Sequence, residues 1–207
     1  LPPVLMQASP SNHAVNFKAN KITLVFDEYI QLDNPLQNVI VSPLPKKTPF
    51  IDFKLKTITV KLFDTLRPNT TYSIQFGKSI RDLNENNPLT GFDYVFSTGN
   101  YIDSLQLGGT VMLAESGTVD STLTVTLYAD LRDSAVYKQK PDYIAKLNKE
   151  GQFLFKNLSP GNYALFAIKD EGGQFIYNNP TQLFAFADST VHPTISGDTN
   201  IRLFAYT

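Results

Sequence analysis

The chain has 207 residues, which is enough for one large domain or two small ones. Eighteen Lys and Arg residues against 19 Asp and Glu residues give a formal charge of -1, so no overall basic excess favours nucleic acid or anionic lipid as a partner. Cysteine is absent, which excludes disulfides, thiolate metal sites and cysteine nucleophiles. The two histidines, His13 and His192, lack the close spacing typical of a helical zinc site. We therefore expect a folded chain without metal or cofactor.

No apolar run approaches the roughly 18 residues that a membrane helix needs. The chain begins with Leu1-Pro2-Pro3, with neither an initiator Met nor a charged segment before an apolar stretch. We interpret this start as a cut made by processing or cloning. Any export signal would then precede Leu1.

Short segments that alternate between apolar and polar residues run through the first half of the chain and predict strands. Thirteen prolines and 11 glycines punctuate the chain, at the intervals of about 8–12 residues typical of β-sandwiches. Helical periodicity is nearly absent, so we predict no helix longer than about two turns. The predicted strands of this half are Ile22–Phe26, Ile58–Leu62, Tyr72–Phe76 and Asp93–Phe96.

The pattern changes after Ser97-Thr98-Gly99-Asn100, and Gly108-Gly109-Thr110-Val111 opens a second series of strands. This series is predicted to continue at Leu123–Tyr128, Tyr143–Leu147, Gln152–Phe155, Tyr163–Ile168, Gln182–Phe186 and Ile201–Tyr206. The fold class predicted from the sequence is therefore all-β, with two β-sandwich domains in tandem. We place these domains at residues 1–99 and 105–207, joined by a brief linker.

Spaced motifs in residues 1–99 resemble the bacterial Ig-like domain of the Big_5 type, which recurs in exported and surface proteins. The motifs are Pro2-Pro3-Val4-Leu5, Ala8-Ser9-Pro10-Ser11-Asn12, the run from Leu66 to Tyr72, the run from Arg81 to Asn86, and Phe96-Ser97-Thr98-Gly99. The resemblance implies an Ig-like sandwich. Within it Pro68 sets a turn and Tyr72 begins a strand, so we expect the Tyr72 hydroxyl to bond the backbone as a tyrosine corner.

Four acidic residues invite a catalytic or calcium-binding interpretation, because paired carboxylates can divide acid and base roles and oxygen ligands suit calcium. They are Asp27, Glu28, Asp82 and Glu85. Solvated acids are ordinary at strand ends and in loops, and the run from Arg81 to Asn86 lacks the closing Glu of a calcium loop. We predict a simple Asx-rich turn there, and no catalytic, cofactor-binding or metal-binding residue.

The second half contains Gly-x-Phe-x-Phe-x-Asn-Leu-x-x-Gly-x-Tyr, which spans residues 151–163 and predicts a hairpin. Its apolar residues Phe153, Phe155 and Tyr163 are expected to face one core together with Leu165. The pattern resembles prealbumin-like, carboxypeptidase-regulatory-like or collagen-adhesin B-type repeats. This resemblance implies a second β-sandwich that serves as a structural or binding module and is not an enzyme.

Asp followed by Ser or Thr, and then by an apolar residue or Thr, occurs five times in the chain. This tripeptide is similar to the O-glycosylation acceptor on exported proteins of Bacteroidota. The alternative is local turn bonding, for which Asp-Ser and Asp-Thr are also favoured. The candidate acceptors are Thr65, Ser104, Ser121, Ser134 and Ser189.

The order of the two modules is similar to a type of Bacteroidota outer-membrane lipoprotein, in which a lipidated cysteine precedes the sandwich. That cysteine would lie before Leu1. The resemblance implies a non-catalytic exported lipoprotein, acting as an accessory or scaffold subunit of an outer-membrane assembly. Its location would be the periplasmic face or the cell surface, and its partners other outer-membrane or surface proteins. Nucleic acid is not expected as a partner. Contact with the membrane is expected only through the lipid anchor.

The alternative function is a carbohydrate-binding or adhesive surface module. Exposed aromatic rings stack on sugars and anchor protein partners. Tyr137 and Tyr177 lie near loop-like segments and are the candidate ligand-stacking residues.

Overall fold

A computed structural model of the chain describes residues 1–170, 172–197 and 200–207. Nearly all of its regular structure is strand. The helices of this described part, α1 (Pro35–Asn38) and α2 (Ala135–Lys138), have four residues each. The predicted all-β fold class is therefore confirmed. The chain divides into two compact units, Leu1–Ile102 and Asp103–Thr207.

The first unit contains the strands numbered 1 to 9 in chain order. They are β1 (Leu5–Ser9), β2 (Lys21–Phe26), β3 (Ile30–Leu32), β4 (Ile40–Ser42), β5 (Phe50–Lys54), β6 (Thr57–Lys61), β7 (Thr71–Gln75), β8 (Ile80–Asp82) and β9 (Asp93–Ser97).

Two antiparallel sheets form the body of the first unit. One has the strand order β1-β2-β6-β5 and the other β4-β7-β9, while β3 and β8 pair as a separate ribbon. Alternation along β2 and β6 buries Ile22, Leu24 and Ile58 completely. These side chains share one core with Ile74 and Phe96 of the three-stranded sheet. The two sheets therefore pack face to face as a β-sandwich.

The free side of β9 is covered by an irregular segment of the same unit. The amide of His13 donates to the carbonyl of Val95 over 2.7 Å, and the amide of Phe17 donates to the carbonyl of Ser97 over 2.9 Å. In return, the amide of Ser97 donates to the carbonyl of Ala14 over 2.9 Å. This segment satisfies backbone groups that an edge strand would otherwise leave unpaired.

Tyr72 forms the predicted tyrosine corner. The amide of Arg67 donates to its hydroxyl oxygen over 2.8 Å. The Tyr72 ring is buried and stacks on Phe96 with 5.3 Å between ring centroids. Burial raises the pKa of the Tyr72 hydroxyl above its ordinary value. The hydroxyl thus fixes the Pro68 turn to the start of β7.

Asp82, at the end of β8, organises the turn that follows. The residue is 1% exposed. Its carboxylate accepts hydrogen bonds from the amides of Glu85, Asn86 and Asn87. Burial opposes ionisation and is the largest single effect on this carboxyl, but the backbone donors together outweigh it and lower the pKa of Asp82. This geometry confirms the predicted Asx-rich turn.

The second unit contains the strands numbered 10 to 16. They are β10 (Leu105–Leu113), β11 (Leu123–Tyr128), β12 (Tyr143–Lys146), β13 (Gln152–Leu158), β14 (Ala164–Lys169), β15 (Phe184–Phe186) and β16 (Ile201–Ala205).

The second unit is also built from two sheets around one core. The strand order is β13-β10-β16 in one sheet and β12-β11-β14-β15 in the other. β16 returns from the end of the chain to pair in parallel with β10, whereas all the other pairs are antiparallel. Phe153, Phe155, Tyr163 and Leu165 lie in this core, as predicted. The hairpin predicted for residues 151–163 is wrong, because β13 pairs with β10 in one sheet and β14 belongs to the other sheet.

Two glycines are required by the packing of this core. A Cβ atom at Gly109 would lie 2.7 Å from the Phe153 ring and from the carbonyl oxygen of Ile201, so only glycine lets the ring approach β10 this closely. Gly151 has a φ of 75° in the turn before β13. A Cβ atom there would lie 2.6 Å from the carbonyl oxygen of Val111.

A second, smaller core covers the outer face of the four-stranded sheet of this unit. Tyr128, Phe166 and Ile168 belong to it, together with Ala135 and Val136 of α2. Because both faces of β11 are covered, all six residues of that strand are buried. α2, which is a single helical turn, therefore covers part of the outer face of this sheet.

We predict that Tyr72→Phe lowers the free energy of unfolding of the first unit by about 1–3 kcal/mol, because the amide of Arg67 loses its acceptor. Urea unfolding measures this change. Tyr101→Phe removes the hydroxyl of a 53% exposed tyrosine in the same unit and serves as the control. Equal stability of the Tyr72 variant and the control would show that the corner contributes nothing.

We predict that Asp82→Asn lowers the melting temperature at pH 7. The backbone amides of the turn donate to both carboxylate oxygens of Asp82, and the asparagine side chain would offer them only one acceptor oxygen. Folding lowers the pKa of Asp82 below its ordinary value of 3.8. The ionised carboxylate therefore stabilises the folded chain fully above pH 3.8, and this contribution is lost as the pH falls through the lowered pKa. The difference from the wild type should therefore shrink in acid. Glu28→Gln, which removes a carboxylate elsewhere in the unit, is the control, and a pH-independent difference would contradict the prediction.

Candidate functional site

Two of the four acidic residues singled out from the sequence, Asp27 and Asp82, accept hydrogen bonds from backbone amides. Asp27 accepts a hydrogen bond from the amide of Val4 over 2.8 Å. Asp82 accepts hydrogen bonds from the backbone amides of the turn that follows it. Among the described residues, no group of three or more His, Asp or Glu side chains is arranged to hold a metal ion. The structure thus gives Asp27 and Asp82 local structural roles.

The candidate O-glycosylation residues lie at or near the surface. Ser134 is half-buried at the start of α2, and the exposed ones are Thr65, Ser104, Ser121 and Ser189. At Ser121 the neighbouring carboxylate of Asp120 accepts hydrogen bonds from both the amide and the hydroxyl of Thr122. This is the turn bonding that the alternative interpretation expects, and modification stays a prediction.

The two candidate stacking residues have different surroundings. Tyr137 lies on α2 and is 52% exposed. Tyr177 is half-buried: its ring packs on Phe184 with 4.6 Å between centroids, and its amide donates to the carbonyl of Val136 over 2.9 Å. Tyr137 therefore presents a ring to solvent, whereas Tyr177 mainly supports the layer beneath it.

β15 and β16 close one side of the second unit. Phe184 and Tyr206 exchange backbone hydrogen bonds of 2.9 and 3.0 Å, so the edges of the two sheets are joined there. Ring contacts cross this junction from Tyr177 through Phe184 and Phe186 to Tyr206. Phe204 follows on the same face of β16. We call these five residues the aromatic strip.

The aromatic strip passes from the interior to the surface. Its outer members are large and exposed: Phe186 by 43%, Tyr206 by 46% and Phe204 by 53%. Tyr177, at the inner end of the strip, is one of the stacking candidates predicted from the sequence. The signal for the outer end was the alternation in β16, which buries Leu203 and Ala205 and turns Phe204 outward.

A polar cavity of about 610 Å³ lies beside the inner end of the strip. Amide and hydroxyl side chains contribute much of its lining, together with Lys169 and Asp170. These amide and hydroxyl residues are Gln174, Asn178, Asn179, Thr181 and Gln182. Such groups bind the hydroxyls of polar ligands.

Comparison with known proteins identifies the first half of the chain. Residues 1–98 match the family model of the bacterial Ig-like domain, which confirms that part of the predicted resemblance. The match ends before the second unit begins. Among curated proteins, no relative of the chain was found.

Several solved structures align with the chain at low identity. The N-terminal part of the bacterial S-layer protein SbsC is 14% identical with a TM-score of 0.32, over 93% of this chain and 44% of that one. An L,D-transpeptidase from Mycobacterium smegmatis is 13% identical with a TM-score of 0.32, over 93% and 80%. BcpA, the major pilin subunit of Bacillus cereus, is 10% identical with a TM-score of 0.28, over 98% and 69%.

The chain thus spans less than half of the S-layer fragment, and these scores are too low to assign a shared fold or activity. Among the described residues, no helix has the length and apolar character needed to cross a bilayer. The family match agrees with a domain that lies outside the cell or on its surface. Residues 1–98 of this chain therefore carry the pattern of a bacterial Ig-like domain.

Proposed function

We propose that the chain is a non-catalytic, exported module that binds other proteins, as an accessory or scaffold subunit of an outer-membrane assembly. The observation that supports this proposal best is the aromatic strip. Phe186, Phe204 and Tyr206 hold large rings at the surface of a unit in which most other aromatic residues pack in two cores. Contiguous exposed rings mark contact surfaces, because water hydrates them poorly and a partner can cover them.

The geometry of the strip suits the centre of an interface. Aromatic side chains fixed by neighbouring rings lose little conformational freedom on binding, and such residues commonly dominate binding energy. Phe186 is held by ring contacts to Phe184 and Tyr206, at 6.0 and 6.5 Å between centroids. A stable interface buries about 1,200–2,000 Å² in total, so the partner would extend beyond the strip onto the surrounding strands.

The cellular setting is the less direct part of the proposal. The Ig-like match supports an exported protein. A lipidated cysteine before Leu1, an origin in Bacteroidota and O-glycosylation at residues such as Ser121 complete the proposed setting. Mass spectrometry of the native protein tests the lipidated cysteine and the O-glycosylation together, since each modification adds mass to the chain.

A carbohydrate-binding or adhesive module is the second candidate function. The polar cavity favours it, since its amide and hydroxyl side chains match the hydroxyls of a sugar. The purified chain would then bind a glycan, and Asn178→Ala, which removes an amide from the cavity lining, would weaken that binding. Phe204→Glu, far along the strip, would leave it intact.

The proposed protein contact predicts a defined crosslinking pattern. A photo-crosslinking phenylalanine analogue placed at Phe204 or Phe186 in the native host should capture the same partner, because both rings belong to one surface. The same analogue at Tyr101, which is exposed on the first unit, is the control.

Phe204→Glu should reduce the amount of that partner recovered by about tenfold, since a charge cannot be buried unpaired at the centre of an interface. Tyr101→Glu should not. Crosslinks from Phe204 and Phe186 that match those from Tyr101 would contradict the proposed interface.

A further inference from the structure

The overall charge of -1 conceals a strongly basic segment in the first unit. Residues 46–67 contain six cationic side chains and two acidic ones, a local net charge of +4. They occupy β5, β6 and the loops on either side of this hairpin. The cations are Lys46, Lys47, Lys54, Lys56, Lys61 and Arg67.

β5 is the last strand of its sheet, and among the described residues its ladder is with β6 alone. Beyond its end, the carbonyl of Leu55 accepts the amide of Ile30 in β3 over 3.0 Å, so the open part of its outer side is the part that begins at Phe50. The amide of Phe53 donates to the carboxylate of Asp52 over 2.9 Å, so the backbone of Phe53 faces away from β6. Alternate residues of an antiparallel strand share one side, and the backbone N–H and C=O of Ile51 therefore face outward too. Ile51 offers one donor and one acceptor to an added strand.

A cavity of about 380 Å³ lies where the chain enters β5. Its walls are mainly apolar, and buried Leu62 and Tyr72 contribute to them. Both carboxylate oxygens of Asp64 accept the amide of Lys47, at 3.2 and 3.0 Å, which ties one wall to the other. The remaining apolar lining consists of Val41, Pro43, Leu44, Pro45, Pro49, Phe63 and Leu66.

Exposed apolar side chains continue from the cavity along the hairpin. Phe63 is 57% exposed, Phe50 50% and Phe53 41%. Lys61 lies 5.8 Å from the centre of the Phe50 ring. Lys56 lies at the turn end of the hairpin, where its ammonium donates to the carbonyl of Asp27 over 2.6 Å. We call this region the cationic edge: the free side of β5, the cavity and the six cations of residues 46–67.

The charge of the cationic edge selects its occupant. Two copies of the chain would bring together two segments of +4, and such repulsion is a common protection against pairing of identical edges. An acidic segment is attracted instead. Lipid headgroups or nucleic acid would use the charges but would leave the outward N–H and C=O of Ile51 without partners. A polypeptide satisfies both requirements.

We propose that the cationic edge binds an extended acidic peptide segment of a partner protein, which adds a strand beside β5 and inserts one apolar side chain into the cavity. In this mode the main chain supplies affinity, and the cavity selects the side chain. Lys46, Lys47 and Arg67, which line the cavity, face the acidic residues of the segment. The inference rests on the proposed function only in requiring that the partner is a protein.

The test uses the full chain and a capped ten-residue probe peptide that alternates valine and glutamate around a central phenylalanine. Isothermal calorimetry should show saturable binding of one peptide per chain. The double variant Lys46→Glu with Lys47→Glu should weaken binding by about tenfold or more, because two attractive charges become repulsive. Lys138→Glu with Lys140→Glu makes the same charge change on exposed lysines of the second unit and should leave binding within about twofold.

Two further measurements separate strand addition from charge attraction. A probe peptide with N-methyl groups on alternate amides keeps its charge but cannot pair with β5, so its binding should be lost. Phe63→Ala should weaken the unmodified probe, and melting curves confirm that each variant is folded. Phosphatidylglycerol vesicles and duplex DNA, tested in parallel, should not compete.

Three results would overturn the inference: no binding of the probe, equal binding of the N-methylated probe, or equal losses in the two double variants. Competition by vesicles or DNA that matches the peptide would do the same, since it would show attraction by charge alone. Crosslinking from Phe204 does not involve the cationic edge. It therefore continues to report on the proposed function when the peptide experiment fails.

Discussion

Every β-sheet that does not close into a barrel ends in strands with unpaired backbone groups, and these groups need partners. The chain meets this constraint in three ways. An irregular segment containing Ala14 covers β9, the Phe184–Tyr206 hydrogen bonds join β15 to β16, and β5 stays open beside a basic segment. Both proposed contact surfaces lie at such places. The aromatic strip crosses the closed junction of the second unit, and the cationic edge includes β5, one of the terminal strands of the first.

Strands with clear alternation could be predicted closely from the sequence. The bounds predicted for Leu123–Tyr128 are those observed, and Ile22–Phe26 begins one residue late. The three-residue strands β3, β4 and β8 are too short for alternation to show, since a period of two needs several repeats. The parallel pairing of β16 with β10 joins segments far apart in the chain, which no local pattern reveals.

The proposed contact surfaces were less predictable because they depend on which side of a strand faces solvent. Tyr72 could be predicted to bond the backbone because Pro68 and the strand start fix its position. Tyr177 stood out as an aromatic residue in a loop, yet its ring packs on Phe184, whereas the exposed rings of Phe186 and Phe204 lie on strands. The net charge of the whole chain, which is close to zero, does not reveal the basic segment of residues 46–67. A running count of charge would have shown it, but the open edge of β5 follows only from the fold.

Amide hydrogen exchange at Ile51 tests most directly whether β5 is an open edge that takes up a strand. Its amide points away from β6, so it should exchange rapidly in the free chain, in contrast to the amide of Ile58 in the centre of the sheet. Saturation with the acidic probe peptide should slow the exchange of Ile51 and leave that of Ile58 nearly unchanged. Strong protection of Ile51 in the free chain, or no change on saturation, would contradict the open-edge interpretation.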